Sequence, residues 1–113
     1  MGKGNAKRVE LLQGTLDMLI LRILVSGPAH GHGIAKRIER TSEDVLQVYH
    51  GSLYPALHRL ARKEWISSKW EQTEQGRDMK FYRLTPLGRK QLVIEQSKWK
   101  QLGKAIARVM RPA

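Results

Sequence analysis

The 113-residue chain contains no cysteine. Disulfides, cysteine-ligated zinc and thiol catalysis are therefore excluded. Long apolar runs are also missing. The longest uncharged apolar stretch, Met18 to Leu21, is cut short by Arg22, whereas roughly 18–20 apolar residues are needed to span a bilayer. No membrane contact is expected. The start, MGKGNAKR, is basic like a secretory leader. An acid-bearing amphipathic segment comes next, with no small-residue cleavage site, so no export signal is expected. Acids are scarce and scattered, and no paired carboxylates or Ser–His–Asp arrangement stands out. His30-x-His32 stands without a Cys or acidic ligand at a recognised spacing. An enzyme, a cofactor and a metal are accordingly not expected.

What is present is positive charge on a foldable chain. There are 21 Lys+Arg against 10 Asp+Glu, a formal net charge of +11. Hydrophobic residues make up 41%, too many for a disordered basic tail. The length suits one domain with one core. These properties describe a soluble cytoplasmic protein with an anionic partner, and nucleic acid leads. The charge is unevenly spread. Residues 36–44 balance to zero, Arg77 to Lys90 holds five bases and one acid, and Lys98 to the end holds five bases and no acid.

Residues 1–8 read as a flexible basic arm. Leu12, Leu16, Leu19, Ile20 and Ile23 then recur on one helical face, predicting a helix from about Val9 to Val25. Ser26-Gly27-Pro28 stops it. Ile34, Ala35 and Ile38 predict a second helix, about Gly31 to Glu43, followed by a loop through residues 44–50. In the third helix Leu53, Leu57, Leu60 and Ala61 form the apolar stripe. Ser52, Pro55, His58, Arg59 and Arg62 lie away from it. Pro55 places the helix start shortly before Ser52.

Trp65 to Trp70 alternates, with Ile66, Ser68 and Trp70 on one face, and Met79 to Leu84 is again strand-like. The polar turn between them, Gln72 to Asp78, makes a β-hairpin with a basic tip, and Trp65 and Trp70 are expected at its base. Thr85-Pro86 is a helix start, a capping hydroxyl followed by a proline suited to the first turn. The last helix runs from Pro86 to about Met110. Its Leu92, Trp99, Leu102, Ile106 and Val109 are spaced 7, 3, 4 and 3 residues apart, a heptad seam with Glu95 as its polar position. So little chain remains to cover this seam that a second copy is expected there.

Three helices, a hairpin and a long helix give a mainly α fold. The layout is a winged helix-turn-helix, residues 9–85, followed by a dimerisation helix, residues 86–113. A helix fits the major groove of duplex DNA, and a basic hairpin can reach the neighbouring backbone. The third helix mixes short donors (Ser52, Tyr54, His58) with Arg59 and Arg62, and Arg pairs bidentately with guanine or phosphate. Lys69, Arg77, Lys80 and Arg83 on the hairpin point the same way. Tyr54 either reaches a phosphate or packs between the second and third helices. The alternative that the charge permits is a non-specific nucleic-acid or nucleoid-binding protein.

The segments GSLYPALHRLARKEWI (Gly51 to Ile66) and FYRLTPLG (Phe81 to Gly88) resemble the PadR family of bacterial regulators. LLQGTLDMLILRIL and GPAHGHGIAKRI, within Leu11 to Ile38, fit its first two helices. The resemblance runs from about Leu11 to Met110, and the single terminal helix is similar to the smaller PadR subfamily. It implies a dimeric transcriptional repressor on a palindromic operator, with Ser52, Tyr54, Pro55, His58 and Arg59 in the recognition helix and Gly76, Arg77, Lys80 and Tyr82 in the wing. It also implies a dimer interface built from the first helix (Leu12, Leu16) and the terminal helix. Trp99 would meet its own copy there, as interface packing or as one wall of a slot for a planar effector. The chain departs from the family pattern at His32, where a Tyr is frequent, and at Glu64-Trp65, where a Gly usually sits.

Overall fold

The computed structural model describes residues 9–112. The basic arm, residues 1–8, lies outside them. The order is β1 (Val9–Glu10), α1 (Gln13–Leu24), β2 (Ala29–His30), α2 (Gly31–Thr41), β3 (Leu46–Gln47), α3 (His50–Arg62), β4 (Ile66–Gln72), β5 (Asp78–Leu84) and α4 (Pro86–Met110). This is the winged helix-turn-helix layout with a long terminal helix.

Helix α1 is the centre of the body and packs on α2, α3 and α4. It buries Leu16, Asp17, Met18, Ile20, Leu21 and Leu24. Its buried face is thus turned slightly from the expected stripe, since Leu12 is exposed and Leu19 and Ile23 only half-buried. Ile34 and Ile38 from α2, Leu53, Leu57 and Leu60 from α3, Ile66 and Tyr82 from the hairpin and Leu92 from α4 join it in the core. Each fully buried Leu or Ile contributes about 1.5–3 kcal/mol.

Two helix boundaries differ from expectation. Val9 and Glu10 are not helical, because their backbone pairs in parallel with Leu46 and Gln47. Helix α2 ends at Thr41 rather than Glu43, because Glu43 (φ 54°) and Asp44 (φ 64°) adopt left-handed backbone. The Asp44 N–H donates to the Glu39 carbonyl (2.8 Å) and the Glu43 N–H to that of Arg40 (3.0 Å). This double closure is the Schellman C-cap, usually built on glycine.

The turn from α2 to α3 is held by side chains. Glu39 Oε2 accepts from the Val48 N–H and from Gln47 Nε2, both at 3.0 Å. Ser42 Oγ accepts from the Leu46 N–H (3.1 Å) and donates to the Glu39 carbonyl (3.0 Å). These bonds fix the angle at which α3 leaves α2. Pro55 lies deeper in α3 than its first turn. It removes the bond to the Gly51 carbonyl, on a stretch where both residues are exposed.

Helix α3 ends with the same Schellman pair. The Trp65 N–H donates to Leu60 (3.0 Å) and the Glu64 N–H to Ala61 (2.9 Å), with Glu64 at φ 65°. Glu64 therefore occupies the left-handed position that a glycine would fill without strain.

The wing is β4 antiparallel to β5, in register from Ile66 opposite Leu84 to Gln72 opposite Asp78. Strand β2 adds a third member, pairing Ala29 with Tyr82 and His30 with Phe81. Two residues are too short to show a period, so sequence reading misses it.

The Thr-Pro-Leu-Gly start of α4 is a compact joint. Thr85 Oγ1 accepts from the Gly88 N–H (3.0 Å), and its single proton is shared between the carbonyls of Glu64 (2.7 Å) and Trp65 (3.0 Å). A Cβ on Gly88 would sit 2.0 Å from the Trp65 carbonyl oxygen. Only glycine allows α4 to start this close to the end of α3.

Candidate nucleic-acid interface and helix-four surface

The α3 face turned away from the core presents Ser52, Tyr54, Pro55, His58 and Arg62, all exposed. Tyr54 packs against α2 while keeping part of its ring exposed. It is 44% exposed, yet its ring and hydroxyl lie against Gly31 at the start of α2, where a Cβ would come within 2.9 Å.

Arg59 borders this face beside Tyr54, Pro55, His58 and Arg62 but is half-buried. Its guanidinium Nη2 pairs with Asp17 Oδ1 of α1 at 2.8 Å. Asp17 is the buried polar residue of the core among the described residues. Arg59 therefore ties α3 to α1 through this end of its guanidinium. The buried Nε has no hydrogen-bond partner, so only part of the guanidinium faces outward.

The wing lies beside α3. Tyr54, His58, Arg77, Lys80 and Tyr82 line one groove of about 430 Å³. Tyr82 is a floor rather than an outward contact, because it belongs to the core at 7% exposure. Burial, then the neighbouring Tyr54, pushes its phenol pKa up. Lys69 is not in the groove. It pairs with Phe81 on the opposite face of the hairpin from Ser68 and Trp70.

The tip is less basic than expected. Gly76 (φ 82°) forms the turn, but Glu74 accompanies Arg77 there, and Arg83 is paired with Glu71 at 2.8 Å.

Sequence reasoning missed several groove residues. Trp70, expected at the hairpin base, is 64% exposed and lines the groove. The alternation of Ile66, Ser68 and Trp70 carried that signal, since the face that starts in the core continues beyond it. His30 and His32 also line the groove. His30 Nδ1 caps α2 by accepting from the Gly33 N–H at 3.0 Å.

Helix α4 divides into two parts. Leu92 is in the core at 5% exposure, and Leu16 of α1 at 2%. Both expected interface residues are thus used within the single chain. From Trp99 onward the seam is bare: Trp99, Leu102, Ile106 and Val109 are all at least half exposed, and Leu12 is exposed beside them. Two shallow hollows flank the Trp99 indole. One of about 250 Å³ is lined by Leu12, Met18, Glu95 and Leu102, and one of about 220 Å³ by Met18, Arg22, Leu92 and Lys100. No group of three metal-ligating side chains occurs among the described residues, and no described helix is long and apolar enough to cross a membrane.

Comparison with known proteins identifies this architecture. A transcriptional regulator from Clostridium thermocellum has a TM-score of 0.81 at 26% identity, covering 88% of this chain and 96% of that one. A PadR family transcription regulator from Clostridium difficile has a TM-score of 0.72 at 31% identity, covering 85% of this chain and 98% of that one. A Lysinibacillus sphaericus protein described as uncharacterized protein X is 28% identical over 99 residues, 88% of this chain and 91% of that protein. The model of the transcriptional regulator PadR-like family matches residues 20–94. The chain belongs to that family, whose members are regulators and not enzymes.

Proposed function

We propose that this regulator is a homodimeric, cytoplasmic repressor of a palindromic operator in double-stranded DNA. The observation that carries the dimer is the bare seam of α4. An apolar row from Trp99 to Val109 on a helix that has left the body of its own chain requires a partner. Symmetry supplies one, because a two-fold axis lays the same patch on itself. Trp99, Leu102, Ile106 and Val109, with Leu12 at the margin, form this interface.

Each α3 enters a major groove through Ser52, Tyr54, Pro55, His58 and Arg62. Arg77 and Lys80 of the wing meet the flanking backbone, and Gly76 shapes their turn. Lys69 adds charge on the outer face. The two half-sites lie about one helical turn apart, roughly 34–36 Å. Trp99 also forms one wall of a slot for a planar effector, whose binding changes the angle between the two winged domains.

Selecting bound duplexes from a random pool tests the reading, with a sedimentation measurement on the same protein. The expected result is a dimer and a two-fold symmetric sequence. A monomer at micromolar concentration refutes the seam. Equal binding to random duplex at fixed salt favours the non-specific nucleoid role instead.

A further inference from the structure

Helix α4 gathers most of its positive charge on one side. Arg89, Lys90, Lys100, Lys104 and Arg108 are all exposed. Their spacing collects them. Arg89 and Lys100 are 11 residues apart, about three turns. Lys90 and Arg108 are 18 apart, about five turns, and Lys104 precedes Arg108 by 4. This face lies on the far side of the helix from the bare seam of Trp99, Leu102, Ile106 and Val109. The one acid of α4, Glu95, belongs to the seam side, where it borders the hollow beside Trp99 and pairs with Lys98 at 3.8 Å. None of the five cations has an ion-pair partner among the described residues.

We propose that this face of α4 docks the phosphate backbone of a second DNA duplex, so that one dimer bridges two segments. The inference goes beyond operator reading and uses no residue of α3 or the wing. It rests on the dimer proposed above, which covers the seam and leaves the cationic face outward. The fold does not account for the stripe. Like charges four residues apart repel on a helix, and a face that serves solubility alone mixes both signs.

Charge and shape together select the occupant. From Arg89 to Arg108 the uninterrupted helix extends about 28 Å. That length matches roughly eight base pairs of duplex, which carries one phosphate per about 1.7 Å of its axis. A rigid row of cations suits a rigid linear polyanion, and backbone contacts of this kind carry no sequence preference. Arg22 of α1 extends the charge, since it shares a hollow with Lys100. A lipid surface fits less well. Between its cations the face offers only Val93, Ser97 and Ala107, whereas a helix lying in a membrane interface needs a broad apolar stripe to bury. The apolar stripe of α4 is the seam, on the other side.

A bridging assay on the full chain tests this. A selected operator duplex is immobilised and saturated with the protein, and capture of a labelled duplex of unrelated sequence is followed as salt is raised. The wild type should retain the labelled duplex. Lys90→Gln/Lys104→Gln/Arg108→Gln should bind the operator as the wild type does and sediment as the same dimer. It should capture at least about fivefold less, with a salt slope of capture lower by roughly 0.9 for each cation removed. Lys90→Arg/Lys104→Arg/Arg108→Lys keeps the charge and should capture normally. Equal capture by the wild type and the glutamine variant overturns the proposal, as does no capture by the wild type. A parallel loss of operator affinity in the glutamine variant also overturns it, because α4 then touches the same duplex as α3. Binding to phosphatidylserine vesicles that the glutamine variant loses, without duplex capture, assigns the face to a membrane instead. A wild type that binds no duplex at all overturns this proposal and the DNA reading together.

Discussion

Replacing Arg59 separates two roles that sequence cannot distinguish, base reading and structural tie. The guanidinium lies 2.8 Å from Asp17, with side-chain exposures of 30% and 13%. Breaking a fully buried ion pair by removing one partner costs about 3–5 kcal/mol, and an exposed pair about 0–1. This pair lies between those limits. Arg59→Met keeps the packing of the stem but leaves Asp17 buried and unpaired, so a loss of about 1.5–3 kcal/mol is expected. Asp17→Asn is milder, about 1–2 kcal/mol, because Arg59 can turn toward water. The double replacement should lose less than the sum of the two, with a coupling of about 1–2 kcal/mol. Urea unfolding at one protein concentration reads all four corners of the cycle, and the concentration must be held because a dimer's stability depends on it. The reasoning is refuted if Arg59→Met unfolds at the wild-type urea midpoint while its operator affinity collapses. In that case the guanidinium serves DNA and not the fold.

Other perturbations test the remaining joints. Glu64→Gly should stabilise by about 0.5–1 kcal/mol, because it relieves left-handed backbone at the end of α3, and thermal melting reads it. Gly88→Ala should cost about 2–4 kcal/mol or more, because its methyl meets the Trp65 carbonyl, and urea unfolding would show it. Leu102→Lys should shift the protein toward monomer in sedimentation without unfolding α1–α3, because the residue lies on the bare part of α4. For Tyr82 the folded state holds its proton above the usual tyrosine range. The folded form then binds more protons than the unfolded one, and stability falls as pH rises through about 10. Tyr82→Phe should remove that alkaline slope.

Much of the fold was legible because its strongest signals are local. The Thr85-Pro86 cap and the heptad set both ends of α4, and Gly51 to Arg62 reads as a helix from its leucine spacing. The hairpin was visible in its alternation. Signals that depend on distant partners were not. Strand β1 exists only through pairing with Leu46 and Gln47, and β2 only through Phe81 and Tyr82. The same limit applies to the site. Ser52, Tyr54, His58 and Arg62 were legible because a helical face can be read from spacing. Arg59 shares that face by spacing, and only the placement of Asp17, 42 residues earlier, shows that it is engaged. Leu16 and Leu92 show the complementary case. The seam keeps its period, but a helix that begins inside the body buries its first seam residue in its own core and exposes only the rest.

The most direct test of the central claim is a hydroxyl-radical footprint on a duplex selected by the protein. Two protected segments related by two-fold symmetry and centred about 10–10.5 base pairs apart are predicted, with protection at the flanks from the wings. A single segment without symmetry, or protection that moves freely along the duplex, would contradict a dimer that reads DNA through α3.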